Sequence, residues 1–304
     1  MTDCIKSQQP KDLFSITLEF IAINAHRIDS LIGYPDIIAQ QIFNRFIHFN
    51  DCSVLQCRNQ KTIVSCFVTA YNELVLESVS LSSSLIVFNE FFDTFTILFQ
   101  FVREICLCSC YLGDSHDLFE NMRSFCFLNK LCLKKNCLRD ESVRKMTLPI
   151  RMFGVGPKNI EYLDLSDNTF TEAVIPWLTV FKKLQCLDLS GSNISIKSLH
   201  ILEKKCSLKL CNSENNVHPI ITKGWAIPLI ERWNDVCKKR REGRNIKKQN
   251  MYFSKKRLKM AEESLSNTLN IRTSKSPKLV LKHVSFFEKN EGCTSKYTEF
   301  HQQI

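Results

Sequence analysis

The side chains best equipped for chemistry in this chain are its 15 cysteines. A thiolate can hold zinc, attack a carbonyl or close a disulfide, and each use has its own spacing. No pair has Cys-x-x-Cys spacing. The nearest groupings are Cys106-Leu107-Cys108-Ser109-Cys110 and the pair Cys206 and Cys211. Neighbouring residues on a strand point to opposite faces, so these spacings are not those of a zinc knuckle. An odd number of cysteines scattered along the chain reads as reduced, buried or half-buried thiols of a reducing compartment, with no metal and no disulfide.

Other catalytic patterns are missing. Gly154-Val155-Gly156-Pro157 has neither the third glycine nor the Lys-Ser or Lys-Thr of a phosphate loop, and reads as a connection. The seven histidines show no His-Glu-x-x-His run and no pairing with cysteine. His116, between Asp114 and Asp117, reads as a solvated loop residue. The expectation is a chain that is not an enzyme, needs no cofactor and takes no small-molecule substrate.

What must position these residues is a repeat. Leu163-Asp164-Leu165-Ser166-Asp167-Asn168 returns as Leu187-Asp188-Leu189-Ser190-Gly191-Ser192, and Leu131-Cys132-Leu133-Lys134-Lys135-Asn136 has the same shape. The pattern is that of the leucine-rich repeat, one short strand per unit. Five stretches fit one register. They are Leu76, Val79, Leu81, Ser84, Ile86; Val102, Ile105, Leu107, Cys110, Leu112; Leu128, Leu131, Leu133, Asn136, Leu138; Ile160, Leu163, Leu165, Asn168, Phe170; and Leu184, Leu187, Leu189, Ser192, Ile194. The strand spacings of 26, 26, 32 and 24 residues suit the longer, helix-containing repeats. Short helices are expected over Asp140 to Lys145 and Thr171 to Thr179. The fold class is α/β: a solenoid with short parallel strands on a concave face, helices and loops on the convex face, and helical caps.

On each strand the leucines point inward, so the residues between them form ladders on the concave face. One runs Ser78, Glu104, Lys130, Tyr162, Cys186; the middle one Ser80, Cys106, Cys132, Asp164, Asp188; the third Ser82, Cys108, Lys134, Ser166, Ser190. At about 4.8 Å per strand the strip is roughly 20 Å long, enough for an extended peptide or a helix. Lys130, Lys134, Tyr162, Asp164 and Asp188 are the expected partner-binding set, exposed and close together, with Tyr162 the anchor. The bland alternative is a solvated strand face. The ladders do not say which protein binds.

The flanks divide the rest. Residues 1–70 read as a helical N-terminal cap, 71–202 as the repeats, 203–237 as a C-terminal cap and 238–304 as a basic, mostly disordered tail. Leu13, Ile16, Thr17, Phe20 and Ile21 share a helical face, and Gly33-Tyr34-Pro35-Asp36 breaks the helix before a second one. Leu13, Thr17 and Ile21 are spaced like an elongin-binding box, with Thr17 at the usual cysteine, and Tyr34-Pro35-Asp36-Ile37-Ile38 loosely fits a cullin box. The alternative is a plain cap that buries Leu13 and Phe20. The apolar run from Leu13 to Ala25 contains Glu19 and is too short to span a membrane, and the polar start lacks a secretory pattern, so an intracellular chain is expected. Gly224-Trp225 to Cys237 reads as an amphipathic helix closing the open end of the repeats.

Charge is lopsided. From Lys238 onward 17 Lys and Arg face 6 Asp and Glu, which exceeds the net +10 of the whole chain and leaves the preceding residues close to neutral. Lys238, Lys239, Arg240, Arg241 and then Lys255, Lys256, Arg257 read as a bipartite nuclear signal for an import receptor. Phosphate neutralisation on nucleic acid and simple solubilisation are the other readings. Either a nuclear or a cytoplasmic location follows.

Several stretches outside the repeat template resemble the leucine-rich repeat-containing protein 42 family. They are Ile28-Asp29-Ser30-Leu31-Ile32-Gly33-Tyr34-Pro35, Val143-Arg144-Lys145-Met146-Thr147, Phe181-Lys182-Lys183-Leu184 with Cys186-Leu187-Asp188, and Gly224-Trp225-Ala226. The resemblance spans roughly Leu13 to Trp233. The chain departs from it at the N-terminus and in the tail, where the basic character and Phe253-Ser254-Lys255-Lys256-Arg257 are what remains similar. The resemblance implies a non-enzymatic repeat protein with no catalytic residues to carry over.

Overall fold

The computed structural model describes residues 11–49, 58–206, 208–211, 219–243 and 280–283. Three helices open the chain: α1 (Leu13–Ile23), α2 (Asp36–Phe49) and α3 (Arg58–Tyr71). Asp12 caps α1 by accepting from the Ser15 N–H at 3.3 Å. The break between α1 and α2 is fixed from outside, because the Tyr71 hydroxyl lies 3.1 Å from the carbonyl oxygens of both Leu31 and Tyr34.

Five strands follow: β1 (Ser78–Ser80), β2 (Glu104–Cys106), β3 (Lys130–Cys132), β4 (Tyr162–Asp164) and β5 (Cys186–Asp188). They pair in parallel and in order, with Ser78, Glu104, Lys130, Tyr162 and Cys186 opposite one another. Their central residues Val79, Ile105, Leu131, Leu163 and Leu187 are each no more than 1 % exposed. This is why three-residue strands suffice. Each inserts one apolar side chain into the stack from its centre, and the leucine just past its end adds a second.

After every strand the chain turns the same way. Ser83, Ser109, Lys135, Asp167 and Gly191 each lie two residues beyond the second template leucine, and all have positive φ, between 55° and 75°. Asparagines staple successive turns together. Asn168 Oδ1 accepts from the Asn136 and Leu138 N–H groups at 2.9 and 3.1 Å, and Asn136 Oδ1 accepts from Cys110 N–H at 3.0 Å. Their amide nitrogens donate to Leu133 and Leu107 carbonyls. Cys110 takes the equivalent place one repeat earlier, with its Sγ 3.1 Å from the Leu81 carbonyl.

Connections between strands are helical. α4 (Leu85–Glu90) and α5 (Phe92–Leu98) join β1 to β2, two 3₁₀ turns join β2 to β3, α6 (Asp140–Phe153) joins β3 to β4, and a 3₁₀ turn with α7 (Ile175–Leu178) joins β4 to β5. α6 is longer than the Asp140 to Lys145 stretch expected. It ends only where Gly154 adopts the left-handed conformation. In the first repeat the last template position is shifted: Ile86 is exposed and Val87 is buried in its stead.

The largest departure from expectation lies after α8 (Ile196–Cys206). Strand β6 (Leu208–Cys211) does not extend the parallel array directly; β7 (Val280–His283) lies between it and β5, antiparallel to both. Part of the region expected to be disordered is therefore a strand. The segment 219–226 and helix α9 (Ile227–Gly243) do not cap this end at all. They return to the other one. Ser78 and Lys223 form an antiparallel bridge, and Trp225 and Ala226 N–H groups donate to the Leu74 and Val75 carbonyls at 3.0 and 2.9 Å. Trp233 stacks on Phe91 at 4.5 Å and meets Phe95 edge-on at 5.0 Å, while Trp225 lies 5.1 Å from Tyr71. Arg232 donates to the Ile47 and His48 carbonyls and so closes the C-terminal end of α2. The physical reason is area. The first repeat and the bundle offer this aromatic surface, and a Trp-bearing amphipathic helix gains more by covering it than by covering the small β5 edge. Among the described residues no helix is long and apolar enough to cross a membrane.

Candidate functional site

The outward side of β1 to β5 is the candidate site, and its register puts the three ladders where the alternation of the template requires. Lys130 pairs with Glu104 at 2.7 Å, and Lys134 with Asp167 at 3.5 Å. Burial works against the Lys134 charge, but Asp167, Asp164 and Asp188 together outweigh it and hold the ammonium above its usual value. Tyr162 is half-buried, and burial followed by the neighbouring Asp164 charge pushes its phenol upward, so it stands on this face as a neutral hydroxyl.

Two of the five expected contact residues are less open than the sequence suggests. Asp164 is 8 % exposed. Its Oδ1 accepts from Ser166 N–H at 2.9 Å and from Ser166 Oγ at 2.7 Å, while Oδ2 accepts from the Cys132 thiol at 3.0 Å. Asp188 is half-buried and accepts from Ser190 N–H at 2.8 Å; burial raises its carboxyl above the usual range, with the Ser190 bonds pulling the other way. The reason is local: each Asp folds back over the turn after its own strand instead of standing out from the sheet. Lys130, Lys134, Tyr162 and Asp188 are left as the contact candidates, Lys134 exposed and the other three partly exposed.

The cysteine reading also needs correction. Cys106 and Cys108 are two residues apart and therefore share a face, and Cys132 is the partner of Cys106 on the next strand. The three Sγ atoms lie within 4.8 Å of one another, with Cys106 and Cys108 at 3.3 Å and Cys108 and Cys132 at 2.9 Å. Sulfur contacts with Cys108 and Cys132 favour the thiolate at Cys106, and the same sharing raises Cys108 and Cys132. Cys-x-x-Cys is a spacing along the chain, whereas this trio is assembled across strands. The middle and third ladders already contained it.

The remaining candidates are scattered. His116 is not a solvated loop residue: it is 9 % exposed, stacked on Phe88 at 5.2 Å, and its Nδ1 accepts from the Leu118 N–H at 3.0 Å. Its Nε2 then carries the proton and donates to Asn89 Oδ1 at 2.8 Å. On α1 the helical face holding Leu13, Thr17 and Phe20 is turned to solvent, with Leu13 79 % and Phe20 67 % exposed; Ile21 is half-buried. The plain cap that buries Leu13 and Phe20 is therefore overturned. α1 packs on α2 through Leu18 and Ala22, and Arg45 of α2 reaches Glu19 at 3.3 Å. Lys238, Lys239, Arg240 and Arg241 belong to α9 rather than to a loose tail, and Arg240 pairs with Glu90 at 2.5 Å. Lys255, Lys256 and Arg257 lie outside the described residues, as does the helix expected near Tyr252 to Leu265.

No family model matches the chain. Individual proteins do. The chain is 36 % identical over 241 residues to the human leucine-rich repeat-containing protein 42, 34 % over 269 residues to the rat protein and 34 % over 240 residues to that of Xenopus tropicalis. These matches cover 74 %, 81 % and 74 % of this chain and 54 %, 61 % and 55 % of the relatives. The chain thus spans little more than half the length of the curated relatives it matches. With the repeat template, the parallel five-strand sheet and these identities pointing the same way, the chain belongs to the leucine-rich repeat-containing protein 42 family.

Proposed function

We propose that this chain is a non-enzymatic scaffold for protein–protein interaction, in which the five repeats stack as a solenoid and the outward strand face receives the partner. The observation that carries the reading is the in-register strip in which Lys130, Tyr162 and Asp188 stand partly exposed on β3, β4 and β5. A half-buried neutral tyrosine flanked by opposite charges is the kind of rigid anchor on which binding energy concentrates. The names of the relatives support a repeat protein and specify no partner. The test is a photo-crosslinking phenylalanine analogue placed at Tyr162 and, separately, at exposed Lys183 in the turn that leads into β5. Cross-links from position 162 that vanish in an Asp188→Lys background, with none from 183, are expected. Cross-links from position 183 alone would move the interface off the sheet.

The exposure of Leu13 favours a second reading, that of a substrate receptor for an elongin-type ubiquitin ligase. The box helix must offer Leu13 to its partner, and a 79 % exposed leucine on an ordered helix is in that condition. Purified elongin should comigrate with the chain on gel filtration, and Leu13→Ala should abolish comigration while leaving the melting temperature within about a degree, because Leu13 fills no core. Separate elution of the unaltered proteins would dispose of this reading.

A further inference from the structure

We propose that Cys106, Cys108, Cys132 and Asp164 form a four-coordinate Zn2+ site on the outward face of the sheet. The donors come from three successive repeats. Cys106 stands on β2, Cys108 just beyond it, Cys132 on β3 and Asp164 on β4. The three Sγ atoms already lie within 4.8 Å of one another, and Asp164 Oδ2 is 3.0 Å from Cys132 Sγ. Tetrahedral zinc with Zn–S near 2.3 Å and Zn–O near 2.1 Å wants sulfurs about 3.7 Å apart and sulfur to oxygen about 3.6 Å. The three observed contacts, at 2.9, 3.3 and 3.0 Å, are shorter, and the group of mutually close donors is the three sulfurs, so side-chain rotation must both spread the sulfurs and bring Asp164 Oδ2 from Cys132 toward Cys106 and Cys108 to admit the ion.

Asp164 is held as a ligating carboxylate should be. Its Oδ1 is fixed by both Ser166 N–H and Ser166 Oγ, which leaves Oδ2 directed at the Cys132 thiol. That outer support orients the ligand before metal arrives. Three sulfurs with one carboxylate oxygen suit zinc, which accepts both; a purely soft ion would leave the carboxylate idle. Three thiolates and a carboxylate around Zn2+ carry a net charge of −2, and Lys134, adjacent to Asp164 on this face, offsets part of it. As the Zn–S bonds form, each thiol releases its proton to solvent, and no oxidant or reductant is involved. With four protein ligands the site is closed and structural. It would tie three repeats together at the centre of the same strip that the proposed function assigns to a partner, but it stands or falls independently of that reading.

The test uses the full chain, stripped with a chelator under a phosphine reductant and titrated with Co2+. One Co2+ per chain is expected to bind, with thiolate-to-metal charge transfer in the near ultraviolet and the intense visible bands of tetrahedral Co2+, and Zn2+ should bleach them. Cys108→Ser should remove the tetrahedral spectrum. Asp164→Asn should keep charge transfer and weaken binding at least about tenfold. Cys126→Ser, an exposed cysteine elsewhere, should change nothing. Absent bands in the unaltered chain, or bands that survive in Cys108→Ser, would overturn the site. So would a chain that takes Cu+ but not Co2+ or Zn2+. Cys132 is buried and its serine variant risks misfolding, so the half-exposed Cys108 decides the matter.

Discussion

At the scale of single residues, the two aspartates of the middle ladder behave differently from what their shared template position suggests. Burial raises the Asp188 carboxyl above its ordinary range, so the folded chain holds that proton more tightly than the unfolded chain does. The ionised form therefore subtracts stability as pH rises through the raised value, and the full cost is felt above it. Asp188→Asn removes that cost and keeps an oxygen to accept from Ser190 N–H. Its thermal midpoint at pH 7 should exceed that of the unaltered chain, and the difference should close as the pH falls to about 3, below the ordinary carboxylate value. A gain that is the same at both pH values would show that charge is not its cause. Which aspartate would be buried was not legible in the sequence, because both read as outward residues of a strand. The fold-back depends on a serine two residues on, which supplies both a backbone and a hydroxyl donor at Ser166.

At the scale of elements, the repeats were legible because their determinants are local. A leucine pair around one outward residue sets the strand, and the asparagine three positions past the second leucine, Asn136 or Asn168, staples the turn of the preceding repeat. The left-handed turn position is equally regular, yet its residue type varies: Ser83, Ser109, Lys135, Asp167 and Gly191 all occupy it. A residue with a Cβ pays about 1 kcal/mol or more there. Lys135→Gly should therefore stabilise the chain by about 0.5 kcal/mol once the greater freedom of unfolded glycine is subtracted. Urea denaturation would measure it, and a loss of stability would mean that the Lys135 side chain contributes something its contacts do not reveal. The α1 helix was legible as a helix but not in its orientation. Its apolar residues run almost all the way round, so periodicity alone could not say that Leu18 and Ala22 face the bundle while Leu13 and Phe20 face water.

At the scale of the whole molecule, no residue pattern announces that residues 219–243 return to the first repeat. The contacts that fix this, Ser78 with Lys223 and Arg232 with the end of α2, join residues far apart in the chain, and no spacing rule reaches that far. One residue tests the return. Gly224 has φ +126°, and a Cβ there would sit 2.6 Å from the Val75 carbonyl oxygen and 2.8 Å from Leu76 Cα. Gly224→Ala should cost about 2–4 kcal/mol, because both strain and backbone overlap oppose it. Gly113→Ala, where φ is +66° and the space is open, should cost only about 1 kcal/mol. Equal losses in calorimetry would mean that the close approach at Gly224 relaxes at no cost.

That return also changes how the array should come apart. A linear stack of repeats frays from its ends, each terminal unit opening before its neighbours. Here the first unit is held by its sequence neighbours α3 and β2 and, in addition, by residues 219–226 and α9, so a restraint from far along the chain is added to the local ones. The slowest-exchanging amides should accordingly lie at β1 and β2, not at the middle of the array, and opening of β1 should expose the indole of Trp233 in the same event.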